Sequence, residues 1–432
     1  MLVTSFVPVL VMLLLSKIIL ISCDSLEMIE YVEVKEKKDP DFGALTPKLV
    51  KSRGYGYELH HVLSPDGFIN AVHRIINPKF LRTRASILCF HGTFMASTYF
   101  LNNSPGGFAD EPFFLTGANI GFELAKRGFD VWLLDQRATP YSKNHTTFDE
   151  DDKKNFWNWS LDQIALLDLP TAIDYILAMT GQKNIAYLGH SQGSRVMLML
   201  MSRRKEYNDL IKPFIALSPH FFDGDGLFSR FPATMFLTNG LTEGILGFMG
   251  GKLTNSFIRK IFKIMCAGVI KQHLICPPIL YFTMTMTSLM TRFAFESFNF
   301  KRLPVYASSQ YYTVSSRQAA HFLQIARTNR PSNLDLTSPV NVKVYGSEFP
   351  PIYDPRLITC PHIALFSSLA DLIVDQRDVQ QLRETMTAKP IYDTVISDPS
   401  FGHFSFLLGQ PEKVIGFINR PILEIMDKIH PW

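Results

Sequence analysis

Short apolar runs separated by helical stretches set the rhythm of this 432-residue chain. Residues 85–90 (ASILCF), 129–134 (FDVWLL), 184–188 (NIAYL) and 214–217 (FIAL) are almost wholly apolar and short, the pattern of strands buried on both faces. Between them, 122–127, 162–179 and 194–201 (SRVMLMLM) carry good helix formers, and Pro170 is expected to interrupt the middle one. Parallel neighbours need crossover helices, so the alternation predicts an α/β fold built on a mostly parallel, doubly wound sheet. Upstream, two alternating runs flank Ser64-Pro-Asp-Gly67 and predict a hairpin, with His60, His61 and His73 in its strands as core or exposed histidines. The charged stretch before Thr46 (EVKEKKDPD) has no apolar periodicity and reads as a flexible lead-in.

The rhythm breaks after Pro219. Residues 221–290 are dense in Phe, Met and Leu, most of all at 281–290 (YFTMTMTSLM), and turn residues fall at irregular spacing. An inserted, largely helical cap over 220–358 explains the interruption, because a lid must both shield a site and offer it apolar surface. The sheet pattern resumes at 361–366 (PHIALF) and 391–396, which splits the core into 24–219 and 359–432.

Composition sharpens this picture in five places. Residues 2–22 form an apolar run long enough to enter a bilayer, and they read as a signal peptide cleaved near Cys23, with a retained anchor as the alternative. Three sequons, at Asn102, Asn144 and Asn158, suit a secretory route, although the tryptophans on either side of Asn158 argue for its burial. Cys266 and Cys276 are left as a candidate disulfide pair or as two free thiols, since Cys89 and Cys360 adjoin buried runs. The net charge of +4, without a basic block, excludes nucleic acid as a partner. The 35 Phe suit either a Phe-rich core or an apolar, lipid-like ligand.

Candidate chemistry centres on Gly189-His190-Ser191-Gln192-Gly193, a G-x-S-x-G pattern at the end of an apolar run. A chain of this length meets that pattern by accident roughly 0.15 times, so the context decides. Here a strand precedes it and a helix follows, the order required for a nucleophile elbow in which the glycines make room for neighbouring backbone. Serine is a poor nucleophile without a base, and the base needs a carboxylate to fix its tautomer. Asp371 follows the resumed strand and is the candidate acid; Asp375 and Asp378 are rivals placed on the next helix and its first turn. His403, behind the last strand and a glycine, is the candidate base. The turn His91-Gly92-Thr93 after the 85–90 strand can aim amides at a ligand. There is no H-E-x-x-H and the histidines are scattered, so neither a metal nor a cofactor is expected.

These stretches resemble the acid lipase family of animals, which includes gastric lipase and lysosomal acid lipase. The likeness covers HGTFMAS, GFDVWL, NWSLDQIALLDLPTAIDYI, GHSQG, ADLIVDQRDV and GHFSF, nearly the whole chain after Tyr57. It implies an α/β-hydrolase fold, a triad of Ser191, Asp371 and His403, and oxyanion amides on Thr93 and Gln192. It implies hydrolysis of neutral lipid esters, triacylglycerol or sterol ester, at a lipid–water interface. A lipid carrier and an acyltransferase on the same fold are the alternatives. This chain departs from the family where Thr93-Phe94 replaces two leucines and where SSLAD replaces an N-G-G-x-D loop.

Overall fold

The computed structural model describes residues 39–80, 82–111, 117–230, 251–253, 297–309 and 312–432. The expected signal segment, the 281–290 cluster, Cys266 and Cys276 lie outside the described residues.

The apolar runs become the strands of one sheet. In chain order these are β1 (Gly56–Leu63), β2 (Phe68–Ile76), β3 (Ser86–Phe90), β4 (Asp130–Leu134), β5 (Ile185–His190), β6 (Ile211–Leu217), β7 (Ile363–Ser368) and β8 (Tyr392–Ile396). Their order across the sheet is β1-β2-β4-β3-β5-β6-β7-β8, with the two-residue piece Asn144–His145 beside β2. The β1–β2 and β2–β4 pairs are antiparallel, and every pair from β4 to β8 is parallel.

Period-two alternation sorts each central strand into two cores. Ile87, Cys89, Val131, Leu133, Ala186, Leu188, Ile215 and Phe366 join one cluster, and Leu88, Phe90, Trp132, Leu134, Tyr187, Phe214 and Leu365 join the other. The first cluster is covered by α2 (Ile120–Lys126) and α7 (Arg420–Ile429), the second by α3 (Leu169–Thr180) and α4 (Gln192–Arg203). Each large apolar side chain so buried contributes about 1.5–3 kcal/mol, which is why short strands suffice when both faces are covered.

Two expectations are corrected here. Pro170 does not interrupt its helix: a π turn over Ile164–Asp168 precedes α3, widening the backbone where the proline ring would meet the carbonyl four residues back. The same device recurs at Ile415–Asn419, ahead of α7 and its Pro421. The lead-in is also not loose up to Thr46, where α1 (Thr46–Ser52) begins. Asp41 is buried, accepts two bonds from Arg53 (3.1 and 2.6 Å) and a third from Arg302 (2.6 Å), and so ties the N-terminal edge to a residue far along the chain.

Between β6 and β7 the described residues add no strand to this sheet. They supply α5 (Ser316–Thr328), whose N-cap Ser315 accepts from the Arg317 amide and donates to the Trp157 carbonyl. That double role fixes where α5 begins relative to the sheet.

Candidate active site

The turn between β5 and α4 is tight enough to exclude any side chain but hydrogen at its two glycines. A Cβ on Gly189 would lie 2.6 Å from the Gly193 carbonyl carbon, and one on Gly193 would lie 2.1 Å from the Phe90 carbonyl oxygen. Ser191, held between them, takes φ 55° and ψ −114°, a backbone conformation that L residues avoid. Its amide donates to the Leu217 carbonyl at the end of β6 (3.0 Å), and the Ser194 hydroxyl closes onto the Gly189 carbonyl at 2.7 Å. The helix begins at Gln192, two residues earlier than the propensities at 194–201 imply, because the elbow itself supplies its first turn.

Asp371 and His403 meet over the neighbouring strand ends. The His403 Nδ1 lies 2.9 and 3.1 Å from the two Asp371 oxygens. The Ile373 and Val374 amides donate to Oδ1, and the Ser218 hydroxyl donates to Oδ2 at 2.7 Å while lying 3.1 Å from Nδ1. Burial pushes the Asp371 carboxyl up, but the charge and bond of His403, with the Val374 amide and Ser218, outweigh it and hold the group below its ordinary value. An ionised carboxylate at Nδ1 selects the tautomer whose Nε2 is free to take a proton.

Ser191 joins this pair through neighbours. His190 donates from Nε2 to the His403 carbonyl (3.0 Å) and packs its ring 4.9 Å from that imidazole. Burial and the adjacent His403 keep His190 neutral, its pKa well below the usual histidine value. Among the described residues no hydrogen bond joins the Ser191 hydroxyl to the His403 ring. Catalytic contacts of this kind tighten when substrate arrives.

The rival acids sit elsewhere. Asp375 caps α6 (Gln376–Thr385) through the Arg377 amide, and Asp378 accepts from the amides of Gly224 and Asp225. Three other histidines are held by fixed partners: His73 lies between Tyr57 and Asp135, His321 bonds the Ser332 carbonyl and His430 the Lys212 carbonyl. Cys89 and Cys360 are buried and free, and burial pushes the Cys360 thiol up to about 11.

Thr93 follows β3 and Gly92, and its hydroxyl donates to the Gln192 side chain at 2.7 Å, so the two expected oxyanion residues are adjacent. Sequence reading missed Ser218, which had no motif around it; its only signal was a serine directly after an apolar run. It also missed Gln136 and Gln318, which bond Gln192 from distant parts of the chain. At the sequons, Asn102 is fully buried with its amide donating to Ser309, so a glycan cannot be attached there in the fold. Asn158 is exposed despite its buried tryptophan neighbours, contrary to the expectation, and Asn144 is exposed too.

A mostly parallel sheet with a strained serine turn at its carboxyl edge, and an acid and a histidine from later strand ends, defines an α/β-hydrolase. The chain matches the alpha/beta hydrolase fold family over residues 87–238 and a partial alpha/beta-hydrolase lipase region over residues 46–104. A crystal structure of a candidate lipase from Sulfolobus solfataricus superposes with a TM-score of 0.51 at 16% identity, covering 86% of this chain and 99% of that one. The resemblance to animal lipases is borne out along nearly the whole length. Lipase lipl-3 of Caenorhabditis elegans is 29% identical over 423 residues, 91% of this chain and 95% of that protein. Gastric triacylglycerol lipase of Bos taurus is 27% identical over 391 residues, 88% and 91% of the two chains.

Proposed function

We propose that this α/β-hydrolase is a carboxylic ester hydrolase of neutral lipids, triacylglycerols or sterol esters, working through Ser191, His403 and Asp371. The observation that carries the reading is the buried Asp371–His403 pair, hydrogen-bonded at 2.9 Å beside a serine held at positive φ. In the first half-reaction the Ser191 oxygen attacks the acyl carbonyl as its proton passes to His403 Nε2. The C–O bond to the alcohol then breaks and that proton leaves with the alcohol, forming the acyl-enzyme. In the second half, water gives a proton to His403 and adds to the acyl carbon; the bond to the Ser191 oxygen then breaks, the His403 proton returns to that oxygen, and the fatty acid leaves. The main-chain amides of Thr93 and Gln192 receive the oxyanion in both halves.

We infer that the insertion over 220–358, of which residues 231–250, 254–296 and 310–311 lie outside the described residues, serves as a cap for this site. Residues 1–23 are a signal peptide, and export to the cell exterior or the lysosome follows, with glycans on the exposed Asn144 and Asn158. Among the described residues no helix is long and apolar enough to cross a membrane.

A fluorophosphonate that labels wild type and not Ser191→Ala, together with fatty acid released from emulsified triacylglycerol or sterol ester, supports the reading. Lipid binding without labelling or release favours a carrier, and transfer of the acyl group to an added alcohol in place of water favours an acyltransferase.

A further inference from the structure

Behind the expected oxyanion amides lies a closed ring of three primary amides. The Gln192 Nε2 donates to the Gln136 side-chain oxygen, Gln136 donates to Gln318 Oε1 at 3.0 Å, and Gln318 donates back to Gln192 Oε1. The Thr93 hydroxyl adds a second donor to Gln192 Oε1 at 2.7 Å, which fills both lone pairs of that oxygen. All three glutamines are buried, Gln192 and Gln318 completely. Three buried carboxamides cost far more than apolar packing unless each is satisfied, and here every one both donates and accepts around the ring.

The three glutamines and Thr93 come from four separate places: the turn after β3, the residue following Asp135 past the end of β4, the first residue of α4, and the third residue of α5. Gln136 reaches the oxyanion turn by a second route. Its amide donates to His91 Nε2 (3.2 Å), so His91 carries its proton on Nδ1 and donates it to the Gly92 carbonyl at 2.8 Å. The Met95 amide donates to the same carbonyl (3.2 Å). In a trans peptide the carbonyl and the following N–H point opposite ways, so fixing the Gly92 oxygen aims the Thr93 N–H.

We propose that Gln318 is a positioning residue for the oxyanion hole: by closing the amide ring it fixes Gln192 and Thr93, so the hole is complete only when α5 is seated. The inference rests on the serine-esterase reading above. It assigns to a residue between β6 and β7 an effect on the chemical step, although Gln318 touches no reacting atom.

The test uses the full-length protein, a short soluble p-nitrophenyl ester and kcat per folded molecule, with the folded fraction taken from circular dichroism. Complete loss of an oxyanion donor lowers kcat by about 10²–10³-fold, so a misaligned donor is expected to cost less, about ten-fold or more. Gln318→Leu should therefore lower kcat by about ten-fold with KM within about two-fold of wild type. Gln318→Glu provides a separate readout. As a carboxylate the new side chain accepts from Gln136 but cannot donate to Gln192; protonated, it regains the donor. The kcat of this variant relative to wild type should climb as pH falls through the titration of the introduced carboxyl, which a residue that merely fills space would not show. Losses that follow the folded fraction alone, or a Gln318→Glu profile parallel to wild type, would overturn the inference. Activity that survives Ser191→Ala would instead overturn the esterase reading beneath it.

Discussion

Asp371 shares one carboxylate oxygen between His403 and Ser218: Oδ2 lies 2.9 Å from the imidazole Nδ1 and 2.7 Å from the serine hydroxyl. Ser218 itself sits at φ 48° directly after Leu217, whose carbonyl receives the Ser191 amide. The ends of β5 and β6, and the loops after β7 and β8, are thereby tied into one unit.

Members of such a unit do not contribute independently. Ser191→Ala, Asp371→Asn and His403→Ala should each lower kcat by about 10⁴-fold, and pairs of these changes should cost little more than one. Asp375→Asn should leave kcat within about three-fold, because that carboxylate caps α6 and pairs with Arg377. Steady-state kinetics on the four single variants and one double decide it: a defect at Asp375 as deep as at Asp371 would move the acid.

Ser218→Ala tests the supporting bond. Removing one donor from Asp371 Oδ2 raises the carboxyl toward its ordinary value, since hydrogen bonds to the charged form are what hold it down. A depressed carboxylate lends stability above its unfolded pKa and loses that stability as pH falls through the folded value. The variant should therefore show the acid limb of kcat displaced to higher pH and a melting temperature that falls sooner on acidification. An unchanged acid limb would sink the assignment of Ser218.

The strands and the serine elbow were legible in the sequence because both rest on local signals. Buried strands announce themselves by short apolar runs, and the elbow by two glycines whose missing side chains are a steric requirement read directly from spacing. Gln136 and Gln318 gave no comparable signal, and Gln192 was read only for its main-chain amide, since a polar side chain becomes a buried ring member only when three distant elements are packed together. Asp41 escaped for the same reason: its partner Arg302 is brought to it by the tertiary fold, while its own neighbourhood is charged and aperiodic. Pro170 misled because the rule that proline ends a helix omits the π turn that absorbs the clash.

Glycosylation offers a check on burial. Expressed through a secretory pathway, the protein should carry glycans at Asn144 and Asn158 and none at Asn102, whose amide is spent on Ser309 inside the fold. Peptide mass mapping after enzymatic deglycosylation in heavy-oxygen water reads each site separately. An occupied Asn102 would mean that the modification precedes a fold different from this one.

A second buried charge cluster lies next to the site. Arg195, four residues beyond Ser191 on α4, lies 3.5 Å from Asp223, and the His220 ring is 3.1 Å from the same carboxylate. Both side chains of the Arg195–Asp223 pair are fully buried. Burial pushes Asp223 up to about 7 against the pull of Arg195, and it pushes Asp378, which faces Asp223, up to about 6. The same burial lowers Arg195 to about 10, so the two partners agree that desolvation outweighs their attraction. A carboxyl whose folded pKa is raised binds its proton more tightly in the native state than in the unfolded chain. It therefore supports folding at acid pH and withdraws that support as pH climbs from about 4 toward about 7. Asp223→Asn cannot ionise and removes this dependence. Relative to wild type, the variant's melting temperature should rise by several degrees between pH 5 and pH 8, whatever the other titrating groups contribute to both proteins. Thermal melts across that range check it, and parallel curves for the two proteins would show that Asp223 is ionised in the fold at every pH and that Arg195, not a proton, neutralises it.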